Sequence, residues 1–185
     1  MFVRFKTKEL IIISFLSALT FGIAMVITPI LMVLTANPSA GGFITPLFIL
    51  LFLVLSKKLV QKPITGTVFL LIYGILAVPT TLITGVPTIF KIIPVIIGGL
   101  SFDFTTKFLK NKSGLIIASG ICSFLVAISG ISLGILLGLP ALDKVVKMLI
   151  PLLIWMITIG SIGGYIGYLI YQKIKNKPFI KQMQN

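Results

Sequence analysis

Apolar runs of about twenty residues alternate with short polar or basic stretches along the whole chain. A run of that length matches the roughly 30 Å hydrocarbon core of a bilayer, at about 1.5 Å of rise per helical residue. Six can be drawn: Leu10 to Leu34, Phe43 to Leu59, Pro63 to Thr84, Pro87 to Lys110, Gly114 to Leu139 and Lys147 to Gln172. The pattern predicts an all-α integral membrane protein, a single bundle of six transmembrane helices. The first run is 25 residues long. That exceeds the apolar core of a signal peptide, about 7–15 residues, so it reads as a retained helix.

The polar connections add a direction. Basic residues crowd into alternate connections: Arg4, Lys6 and Lys8 at the start, then Lys57, Lys58 and Lys62, then Lys107, Lys110 and Lys112, then Lys173, Lys175, Lys177 and Lys181. Only Lys91, Lys144 and Lys147 fall on the other side. Cytoplasmic loops carry the excess of lysine and arginine, so both termini are expected in the cytoplasm of a multi-pass cell-membrane protein. Two cytoplasmic ends require an even number of spans, in agreement with six.

Composition narrows the chemistry. The chain of 185 residues is 57% hydrophobic and 10% charged, too poor in charge for the surface of a soluble domain. Its formal net charge of +13 lies in clusters between apolar runs, not on one face, so nucleic acid is not expected as a partner. There is no histidine, which removes imidazole metal sites and Ser-His-Asp chemistry. The three acidic residues, Glu9, Asp103 and Asp143, are far apart in this topology and form no acid–base pair. The one GxSxG stretch, Gly130 to Gly134, lies in an apolar run of a chain without histidine, and no HExxH or nucleotide-binding GxxxxGK[ST] stretch is present. The expectation is a protein that is not an enzyme and holds no metal or cofactor.

Several positions stand out within this frame. Ser14, Ala18 and Gly22 are spaced by four on the first helix and form a smooth stripe where another helix can approach, either inside the bundle or on a partner. Gly130, Gly134 and Gly138, and Gly160, Gly164 and Gly167 with Gly163 beside them, are read as packing surfaces within the bundle. Pro29, Pro46, Pro79, Pro94 and Pro151 all fall in the outer half, where broken helices tend to line a cavity. Polar groups gather at the same level: Asn37 in the first outer loop, Thr84 and Thr88 around the next, and Ser129 on the fifth helix. Trp155 lies about 12 Å below the outer start of the sixth helix, where it either stacks on a planar ligand or packs as an ordinary aromatic. Lys91 either snorkels outward or holds an anionic or carbonyl group of a substrate. Asp103 is expected to pair with Lys107, four residues on, as a structural ion pair.

The segment FKIIPVIIGGLSFDFTTKF, the uncharged loop leading into GFITPLF, the six spans and the stripe on helix one together resemble the S components of energy-coupling factor (ECF) transporters. The resemblance covers essentially the whole chain. It implies a substrate-binding membrane subunit that captures a vitamin or related micronutrient near the outer face. It also implies a transmembrane coupling subunit and ATPase subunits as partners, with Ser14, Ala18 and Gly22 at the positions of the family's Ala-x-x-x-Ala contact. The nickel and cobalt members resemble one another through an N-terminal Met-His, which this chain lacks. A stand-alone small-solute carrier or channel, and a non-transport membrane scaffold, are the alternatives.

Overall fold

The structure is a computed structural model and describes residues 4–36, 40–80, 88–138 and 149–177, without the side chains of residues 40, 41 and 88. Among the described residues the fold is all helical: α1 Thr7–Thr35, α2 Ala40–Val60, α3 Thr65–Ala77, α4 Ile92–Phe108, α5 Lys112–Leu136 and α6 Leu149–Ile174. A 3-10 turn, Thr88–Lys91, leads into α4. Five of the six helices are long and apolar enough to cross a membrane.

The exception is α3. Its 13 residues rise only about 20 Å, short of a bilayer core. The hydropathy pattern extends this segment to Thr84, but the helix stops at Ala77, two residues before Pro79. Val78 keeps helical dihedrals, but Pro79 has no N–H to continue the ladder and its ring clashes with the carbonyl one turn back. Pro79 is therefore a terminator and not a kink within a span. Pro29 and Pro46 are accommodated inside α1 and α2.

The core sits on α2. Leu50, Leu53, Val54, Leu55 and Leu59 are buried, because α2 packs against α1, α3, α5 and α6. Around it α4 lies between α3 and α5, and α5 packs on α6. Neighbouring helices alternate in direction: Thr28 late in α1 hydrogen-bonds Thr45 early in α2 at 3.2 Å, and Glu9 early in α1 pairs with Lys62 just after α2 at 2.6 Å. At the outer rim α1 and α6 are the least covered, with 28% and 22% of their apolar windows buried, and their large exposed side chains are mostly Ile, Leu, Val and Phe.

Glycines set the closest approaches. On α6, a side chain at Gly160 or Gly164 would strike Ser123 or Ser119 of α5, while one at Gly163 or Gly167 would strike the backbone carbonyls of Leu47 or Leu51 in α2. The expected packing role of this stripe is met by two neighbours at once. On α5 the spacing is less continuous: Gly134 is buried, a side chain at Gly130 would only touch Pro94, and Gly138 lies past the helix with a φ of +65°.

Candidate functional site

Lys91, at the end of the 3-10 turn, and Asp103 of α4 explain why a helix as short as α3 is held in an apolar bundle. Free N–H groups at a helix start and free carbonyls at its end each cost several kcal/mol in hydrocarbon unless partnered. Asp103 takes the start. One carboxylate oxygen accepts the Gly66 N–H at 3.1 Å, and the other accepts the Thr67 N–H at 2.7 Å and the Thr67 hydroxyl at 2.8 Å. Lys91 takes the end: its ammonium donates to the carbonyl of Ala77 at 3.2 Å and to the carbonyl of Thr80. The signs match the helix dipole, an anion at the positive N-terminus and a cation at the negative C-terminus. The lengths match too, since the 12 residues from Lys91 to Asp103 span about 18 Å.

The partner of Asp103 differs from the expected Lys107, which is exposed. It is Lys57, whose ammonium lies 2.6 Å from the carboxylate and also donates to the carbonyls of Lys62 at 2.7 Å and Pro63 at 2.9 Å. Helices α2, α3 and α4 are thus pinned together at one point. The charge is compensated where it is buried, as a charge away from water requires.

Of the six residues expected to bind substrate, the side chains of Lys91, Ser129 and Trp155 are described, and each hydrogen-bonds a backbone carbonyl. Lys91 is 2% exposed, and its ammonium is held by the carbonyls of Ala77 and Thr80. Ser129 is hydrogen-bonded to carbonyls of its own helix, those of Leu125 and Val126. Trp155 is 45% exposed on the outer surface of α6, with its indole N–H donating to the Phe43 carbonyl of α2 at 3.0 Å. Thr88 begins the 3-10 turn before α4, and Asn37 and Thr84 lie outside the described residues.

The stripe on α1 is clearly placed. Ser14, Ala18 and Gly22 all lie on its exposed face, while Ile13, Leu16, Ser17, Thr20, Ala24 and Thr28 turn inward. A side chain added at Gly22 would meet nothing within 4 Å. Ala18 and Gly22, with Leu19, Ile23, Val26 and Ile27, line a shallow groove of about 510 Å³ along the outer surface of the bundle. The stripe therefore takes no part in packing among the described residues.

A second cavity, of about 340 Å³, opens at the end where the basic residues collect. The sequence reading missed it, together with the role of Lys57. Its walls come from the ends of α2, α4 and α6 and the start of α5, which no local spacing links. The one sequence signal for it is the lysine clustering itself.

Comparison with family models, curated proteins and solved structures returned no match.

Proposed function

We propose that the chain is the substrate-binding membrane subunit of an ECF-type importer, taking a vitamin or vitamin precursor from the outer face. In this reading it docks on a transmembrane coupling subunit through α1, and partner ATPases supply the energy. Both termini and the lysine-rich end face the cytoplasm of a cell membrane, as the excess of basic residues there favours.

The observation that supports this most is the outward Ser14–Ala18–Gly22 stripe with its groove. In hydrocarbon, association is driven by close backbone packing, and small residues at helical spacing are what permit it. A bulky side chain there blocks a partner without disturbing the fold. The test is Ala18→Trp combined with Gly22→Trp, followed by copurification from native membranes. Recovery of coupling and ATPase subunits is expected to fall about tenfold, the equivalent of roughly 1.4 kcal/mol in the docking step, while the variant itself accumulates normally. Intact complexes would remove the docking role of α1.

A second reading, a non-transport membrane scaffold, is favoured by the capture of Lys91 inside the fold, which leaves that lysine unavailable to a substrate. Mass spectrometry of small molecules retained on gentle purification separates the two. The importer reading expects a specific organic ligand and the scaffold reading none.

A further inference from the structure

We infer that the cavity at the basic end is a binding site for the phosphodiester headgroup of an anionic glycerophospholipid. Lys58 from the end of α2 and Lys110 from the α4–α5 connection bring two lysines to its walls, beside Lys57, whose ammonium Asp103 already holds. Gln61, Thr106 and Tyr171 add polar side chains, and Leu109 and Leu115 give it an apolar side. At about 340 Å³ it has the volume of a small ligand cleft.

The surrounding charge favours an anion. The described residues at this end include twelve basic side chains and two carboxylates, Glu9 and Asp103, and these carboxylates are taken by Lys62 and Lys57. The chain also holds Gln61 at the rim with a φ of +55°, a left-handed conformation that a non-glycine residue adopts at a cost.

The level of the cavity selects a lipid over a dissolved anion. Tyr171 of α6 lines it, and Tyr165 and Tyr168 precede it on the same helix with Lys112 over their rings at 4.7 and 5.7 Å. Tyrosines and lysines at the ends of apolar helices mark the depth of the headgroups. Lipid phosphate is concentrated at that depth, and basic pockets between membrane helices are suited to it. This inference stands independently of the transport reading.

The test uses the full chain in nanodiscs of phosphatidylcholine containing one-fifth phosphatidylglycerol, with lipids retained after detergent extraction measured by native mass spectrometry. Retained phosphatidylglycerol is expected to be enriched several-fold over its share of the bilayer. The double variant Lys58→Gln, Lys110→Gln should abolish the enrichment, and Lys58→Arg, Lys110→Arg should restore it. The pair Arg4→Gln, Lys8→Gln removes the same charge from the same end, away from the cavity, and should leave the enrichment in place. Equal loss in the two Gln pairs would overturn the site in favour of diffuse attraction. Displacement of the lipid by millimolar inorganic phosphate would overturn the lipid assignment in favour of a soluble anion. An unchanged thermal midpoint for each variant shows that the fold is retained.

Discussion

At Asp103 a side chain from one helix performs the capping that a helix normally supplies from its own N-cap residue. Ile64 occupies the N-cap position of α3 and has no side-chain oxygen, so the carboxylate from α4 satisfies the N–H groups of Gly66 and Thr67 instead. Asp103→Asn keeps the shape but leaves the Lys57 ammonium without its counter-charge in a largely covered position. It is expected to lower stability by about 3 kcal/mol, read as a fall in thermal midpoint in detergent. Thr67→Ala removes one hydroxyl bond and keeps the N–H bonds, so its cost should be about 1 kcal/mol. Equal losses for the two would sink the capping account. The sequence shows Asp103 as an expensive charge needing a local reason, and Lys107 is its nearest lysine at helical spacing. The actual partner is 46 residues away. Only the packing of three helices brings it near, and no periodicity records that.

Among the helices, glycine does opposite things in different places. A side chain at Gly99 on α4 would lie 2.6 Å from the Thr67 Cα, against backbone that cannot yield. Gly99→Leu is expected to force α3 and α4 apart and cost about 3 kcal/mol. Gly22→Leu on α1 should leave the midpoint unchanged, because the position opens outward. Thermal unfolding of the two variants side by side checks the contrast, and a comparable loss in both would place α1's stripe inside the fold. The four-residue spacings were legible in the sequence, since they follow directly from helical geometry. The α6 stripe was read correctly as packing within the bundle, but the side taken by the α1 stripe was left open, because small residues look alike on a buried and an exposed face. The end of α3 was missed for a related reason: hydropathy continues through Val78, Leu82 and Ile83, while the break comes from the missing N–H and the ring of Pro79.

For the molecule as a whole, the alternation of basic connections was the most legible feature. The start of α1, the ends of α2 and α4, the start of α5 and the end of α6 share one end of the bundle. They are tied there by Lys62 to Glu9, by Lys57 to Asp103, by Lys58 over the Tyr168 ring at 5.9 Å and by Lys112 over Tyr165. Single cysteines placed by Lys6→Cys or Lys175→Cys, in a chain carrying Cys122→Ala, test the sidedness. Both should react with an impermeant maleimide from the cytoplasmic face and neither from outside. Labelling of the two from opposite faces would overturn the paired termini. The candidate substrate site was the least legible part. Its expected residues were chosen for being polar at one depth, and the fold uses Lys91 and Ser129 to satisfy its own backbone.

The clamp on α3 also bears on how the protein is made. Synthesis completes α3 before α4, and at that moment neither end of the short helix has its charged partner. Too short to reach both faces of the bilayer, and with terminal amides and carbonyls uncovered, α3 has no stable place in lipid by itself. The two helices are therefore expected to enter the membrane together as a single hairpin, once Lys91 and Asp103 have been delivered.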